Sequence, residues 1–163
     1  MILKISKKMG LLLFTGAVLL MPLLNASAEG IEPVPNALEK IYMTMLQEEG
    51  YIPKLLEEHE GILFKYEGGS YIIRVSENDP ETFFVLYPAF WPIESEVERV
   101  KVYSKLDYVN YNVSVAKFFI SKDSVSGSVE LYIANPNNIK PVFNRIMKSI
   151  QKGTAMFINA MKE

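Results

Sequence analysis

The run TFFVLY, Thr82 to Tyr87, constrains the fold more than any other stretch of the chain. Read as extended backbone, it sends Phe83, Val85 and Tyr87 to one side and Phe84 and Leu86 to the other, so both sides are apolar. A strand of that kind belongs in the middle of a sheet or under cover on both faces. Asn78 to Glu81, NDPE, is turn chemistry before it, and Pro88, which has no amide donor, is expected to end its ladder. The 163 residues include no cysteine, so disulfides are excluded and burial alone has to stabilise the sheet.

The other elements follow from periodicity. Asn36 and Glu39 have the spacing of a capping box, Leu38, Ile41, Tyr42, Met45 and Leu46 repeat at helical spacing, and Gly50 can end that helix. In ILFKYEGGSYIIRV, Ile62, Phe64 and Tyr66 alternate with Leu63, Lys65 and Glu67. Gly68-Gly69 suits a two-residue hairpin turn, and Tyr71, Ile73 and Val75 return along the partner strand.

Ser95 with Glu98 is a second capping box, and Glu94 and Glu96 sit where a helix dipole favours negative charge, so the acidic cluster reads as a helix start before it reads as a metal site. From Glu96 to Asn110 the pattern is divided. Val97, Val100, Tyr103 and Leu106 suit one side of a helix, whereas Val100 and Val102 alternate as a strand would, and the cap decides for a helix. VSVAKFFIS and SVELYIAN read as strands joined by the polar KDSVSG. A long helix from Lys140 tolerates Pro141 in its first turn and has Ile139, Phe143, Ile146, Ile150, Phe157 and Met161 as its apolar side, with Gly153 implying close packing against the sheet. The expected fold is α+β, an antiparallel sheet packed with helices in the order α-β-β-β-α-β-β-α.

Residues 1–28 have the features of a secretory signal peptide: Lys4, Lys7 and Lys8, then the uncharged GLLLFTGAVLLMPLL, then ASA at Ala26 to Ala28. The alternative is an uncleaved anchor, but the apolar run falls short of the roughly 20 residues that span a bilayer. Cleavage would leave a spacer at 29–35 and one domain at 36–163, in the periplasm or outside the cell and with no membrane segment. Three of the 17 basic residues and none of the 19 acidic ones lie in the leader, so the remainder has a net charge of −5, which argues against nucleic acid.

PAFWPI places Phe90 and Trp91 between two prolines, in a connector where large aromatics are unexpected. Two readings fit: a lid folded back over the sheet, or an exposed patch of the kind that marks a partner site. On the second, Phe90 and Trp91 are the first candidates for contact with a partner, with Tyr87 behind them.

LQEEGYIPK after the first helix, GILFKYEGGSYIIRV in the hairpin and LDYVNYNVSVAKFFI before the fourth strand resemble the YbjN family, over Asn36 to Lys162. Gly50-Tyr51 and Asn110 or Asn112 are the more characteristic positions. The family comprises putative sensory-transduction regulators, and the resemblance implies the α+β fold of type III secretion chaperones, which often pair and hold extended polypeptide segments. It therefore implies a possible homodimer and no catalytic residues. The leader departs from the family's cytosolic pattern, and a bacterial context makes the glycosylation motif at Asn112 a chance match.

Catalytic chemistry has few carriers. His59, flanked by Glu58 and Glu60, is the only histidine, adjacent residues point apart, and a cysteine nucleophile is impossible. Among the acids only Glu130, between Val129 and Leu131, stands in an apolar run, and an outward strand position explains it. The Gly68 pair fits a hairpin, not a phosphate loop. The expectation is a non-enzymatic exported module, without metal or cofactor, that holds a segment of another protein along an apolar groove or a strand edge. The alternative is a binder of a hydrophobic small molecule in a cavity lined by Phe64, Phe84, Phe118 and Phe157.

Overall fold

A computed structural model describes residues 33–57 and 60–163, so the leader, most of the spacer and the Glu58-His59 pair lie outside the described residues. Helix α1, Ala37–Glu48, begins with the expected box: Asn36 Oδ1 accepts from the Glu39 amide at 2.8 Å, and a Glu39 carboxylate oxygen accepts from the Asn36 amide at 2.7 Å. A two-residue strand β1, Lys54–Leu55, precedes β2, Ile62–Tyr66, β3, Gly69–Arg74, and β4, Thr82–Pro92. After helix α2, Glu96–Asn112, come β5, Ala116–Ser121, β6, Ser124–Tyr132, a 3-10 turn at Pro136–Ile139, and helix α3, Lys140–Lys162. The strands form one antiparallel sheet in the order β1-β2-β3-β4-β6-β5, with β4 inside it. The fold is thus the expected α+β type, with β1 and the 3-10 turn added.

Register explains the layering, because cross-strand partners share a face. Leu55, Ile62, Ile73, Val85, Val129 and Ala116 form one row across all six strands, and every one of them is buried. The helices pack on this side: Tyr42 of α1 meets Phe83 edge-on at 5.4 Å, and Phe143 of α3 meets Phe64 at 5.9 Å. Phe118 of β5 is wedged between β6 and α3. A Cβ on Gly127 would lie 2.7 Å from its ring and one on Gly153 would lie 2.2 Å from it, which is the close packing that Gly153 implied.

Four details differ from the sequence reading. The β2–β3 turn is Glu67-Gly68, both at positive φ (45° and 82°), while Gly69 already pairs with Tyr66. β6 starts at Ser124, so the connection after β5 is only Lys122-Asp123. Ser126 is thus a buried strand residue rather than loop, and so is Gly127, while Ser128 is buried in the strand where it was expected. Pro88 does not end β4. Between the pairs Tyr87↔Gly127 and Trp91↔Val125, β4 carries two more residues than β6, and Pro88 and Ala89 occupy that bulge, where no ladder donor is required.

The fourth concerns α2. Leu106 joins Val102 and Val109 on its buried side, but Val97, Val100 and Tyr103 lie on the opposite, exposed side.

Candidate functional site

The aromatic connector is built by the bulge. Ala89 takes φ 46° and its amide donates to Ser126 Oγ at 3.0 Å, which turns Phe90 inward. Tyr87 stacks between Tyr71 at 4.5 Å and Phe90 at 5.2 Å, and Phe90 stands edge-on to Phe118 and Phe157. Trp91 meets Phe157 edge-on at 5.6 Å, and its indole N–H donates to Glu98 Oε1 at 2.9 Å. The Glu98 amide donates to the cap residue at Ser95 Oγ, 3.1 Å, but the other Glu98 carboxylate oxygen accepts from the Glu94 amide in place of the Ser95 amide, so the carboxylate is bonded to the Glu94 amide and the Trp91 indole. These two bonds, the backbone one first, hold the Glu98 carboxylate below its ordinary pKa. Tyr87, Phe90 and Trp91 therefore come together, half-buried against the core. Each is partly covered, as a folded-back connector would be, and keeps part of its surface exposed.

Strand edges are equally occupied. On β5 the side-chain amide of Asn110 takes the place of a neighbouring strand: its Nδ2 donates to the Phe118 carbonyl at 2.9 Å and its Oδ1 accepts from the Phe118 amide at 2.8 Å. Edge blocking of this sort prevents another chain from adding there. At the other end, β1 offers only two residues. An incoming segment has little backbone to pair with.

The second sheet face is different. The row Lys54, Leu63, Ile72, Leu86, Ser128, Lys117 crosses all six strands in register, flanked by Arg74, Phe84 and Glu130 on one side and by the pairs Lys65 with Ser70 and Phe119 with Ser126 on the other. The described helices pack on the opposite face, so Leu63, Ile72, Phe84, Leu86 and Phe119 remain partly exposed. Ser126 and Ser128 make a low strip between the larger side chains of β4 and β5.

Four cations, Lys54, Lys65, Arg74 and Lys117, surround this apolar centre in a chain whose net charge is −2. Lys117 pairs with Glu130 at 3.7 Å, and Arg74 lies 5.6 Å from the centre of the Phe84 ring. Lys54 and Lys65 have no ion-pair partner among the described residues and border an open pocket, with Tyr51, Ile52 and Leu63 in its wall. An apolar strip ringed by cations is suited to hold an amphipathic segment whose polar side is acidic. The residues that make this surface were present in the alternation, as the set opposite the core: Leu63 and Lys65 on β2, Phe84 and Leu86 on β4.

The four rings expected to line a ligand cavity do not meet around one. Phe64, Phe118 and Phe157 are buried in the helix-covered core, and Phe84 is on the other face. Glu130 is exposed and ion-paired with Lys117, in keeping with an outward strand position. Among the described residues no group of three His, Cys, Asp or Glu could hold a metal, and no helix is long and apolar enough to cross a membrane. No protein-family model matches the chain, and no curated protein matches it.

Proposed function

We propose that this protein is an exported, non-enzymatic binding module that holds a segment of another protein, and that the segment lies on the open sheet face. The observation that carries the reading is the row Leu63, Ile72, Leu86, which is apolar, in register and, among the described residues, left without a helix over it. Sheets in two-layer folds bury their apolar face against a second layer, and a partner supplies that layer here. The four surrounding cations favour a segment with acids beside its apolar stripe. Face docking replaces strand addition as the mode of capture because Asn110 occupies the β5 edge. The chaperone-like behaviour implied by the YbjN resemblance agrees with a module of this kind, and the features of residues 1–28 support export with a mature start at Glu29.

The test is photocrosslinking in intact cells from benzoylphenylalanine at positions 84 and 119, where aromatic residues already stand on the open face, with position 91 as the comparison. A recurrent foreign protein from 84 and 119, joined through an acidic amphipathic segment and lost in Lys65→Glu/Arg74→Glu, is the expected result. The same adduct from 91 alone, or scattered adducts from all three, would overturn the assignment. The intact mass of the recovered protein checks the leader: a chain beginning at Glu29 is expected, and a full-length chain would overturn export by cleavage.

A further inference from the structure

Helix α2 has apolar residues on both sides. Its inner side, Val102, Leu106 and Val109, is buried in the core. On its outer side Val97, Val100 and Tyr111 are 84%, 71% and 89% exposed, with Tyr103 and Tyr108 between them. At 3.6 residues per turn these five fall on one arc of the helix, together with Glu96 and Asp107. No basic residue shares that arc: Arg99 is turned to Asp123 at 2.6 Å, Lys101 donates to the Met161 carbonyl, and Lys105 lies toward α3 beside Tyr108. Glu96 is shared with Arg99 at 3.3 Å, while Asp107 has no ion-pair partner among the described residues.

One chain therefore carries an acidic, apolar helix face and a basic, apolar sheet face, and among the described residues no element covers either. The dimensions agree. Seventeen helical residues span about 25 Å and six strands about 24 Å, so the helix can lie along the row Leu63, Ile72, Leu86 with its acids beside Lys65 and Arg74. We infer that the outer side of α2 from a second copy of this chain docks on the open sheet face of the first. This rests on reading that face as a docking surface, and it names an occupant available wherever the protein is concentrated. The two surfaces are different, so the contact is head-to-tail. Every copy keeps one free helix face and one free sheet face, and assembly continues into a ring or a chain of copies.

The experiment uses two variants changed only at exposed positions of the whole protein, each checked for native circular dichroism. One is Val100→Lys/Tyr111→Lys, which ruins the helix face; the other is Lys65→Glu/Arg74→Glu, which ruins the sheet face. In sedimentation velocity the unaltered protein should grow in mean mass as its concentration rises, and each variant alone should sediment as a monomer. Mixed one to one, the variants should form a dimer and nothing larger, because only one intact pair of faces remains. A monomeric unaltered protein at several hundred micromolar, or a mixture that stays monomeric, would overturn the inference, and so would a variant that still dimerises alone through a symmetric contact. Photocrosslinks from position 84 separate this from the broader reading. Adducts to residues 96–111 of the same chain support self-docking alone, and adducts only to a foreign protein leave the binding module standing without it.

Discussion

Replacing Gly153 by alanine sets two opposed effects against each other. Alanine in place of a helical glycine stabilises by about 1 kcal/mol where nothing obstructs the new methyl group. Here it would lie 2.2 and 2.4 Å from Cε2 and Cζ of Phe118. Ordinary carbon contacts are about 3.5 Å or more, so the ring would have to retreat by about 1 Å. Retreat is blocked on the far side by Gly127, whose missing Cβ would itself lie 2.7 Å from the same ring. The Phe118 backbone is pinned too, at both its amide and its carbonyl, by Asn110. Overpacking costs about 1–3 kcal/mol, and with no direction of escape the upper end applies.

The net effect is a loss of about 2 kcal/mol, which for a domain of this size lowers the Tm by about 6–8 °C. Urea unfolding followed by circular dichroism should show the midpoint falling with an unchanged slope. The cycle with Phe118→Leu isolates the cause, since leucine lacks the two offending ring carbons. In that background Gly153→Ala should be neutral or stabilising, a departure from additivity of about 2–3 kcal/mol. If alanine stabilised the unaltered protein, or cost the same in both backgrounds, the wedge would not be what requires glycine.

Asn110→Ala removes both bonds to the Phe118 backbone and should cost about 1–2 kcal/mol in urea unfolding. It also bares the β5 edge, so light scattering should show association at concentrations where the unaltered protein has none. Tyr42→Phe should stabilise by about 1 kcal/mol, because the buried Tyr42 hydroxyl has no hydrogen-bond partner among the described residues and burial already raises its pKa; a lower Tm would refute this. The folded pKa of Glu98 lies below its unfolded value, so its contribution is complete above about pH 4.3 and is lost as the pH falls through the folded pKa. Fluorescence of Trp91, the only tryptophan, should change on that acid limb, and in Glu98→Gln the step should be absent.

The helix-covered side of this fold was legible from residue types because burial there writes a regular pattern. Asn36 with Glu39, the alternation of Ile62, Phe64 and Tyr66, and the long apolar side of α3 each have one dominant period. Legibility fails where a local exception is repaired by something distant in sequence. Pro88 would end a regular ladder, but a bulge accommodates it and Ser126, 37 residues on, accepts the neighbouring amide. β6 was half hidden because Ser124 to Gly127 read as a loop, whereas Gly127 is there to admit the Phe118 ring. Phe90 and Trp91 were recognised as unusual, yet whether they faced inward depended on Phe157 and Glu98, contacts that no local pattern encodes.

The two segments with apolar residues on both sides, and the two surfaces that the described elements leave uncovered, are the same segments. TFFVLY is apolar on both sides because one side enters the core and the other lies open on the sheet. Glu96 to Asn110 showed a divided pattern that only its cap decided, because Val97, Val100 and Tyr103 repeat the spacing of a buried side while the core is met by Val102, Leu106 and Val109. A chain that had only to fold would have no use for the second apolar set in either place. Its retention exposes large side chains to water and costs solubility, most of all at Val97 and Tyr111. Where periodicity is blurred by apolar residues on two sides of one element, the surplus side is the place to look for a partner. On the self-docking proposed above, Glu96 and Asp107 of one surface would meet Lys65 and Arg74 of the other.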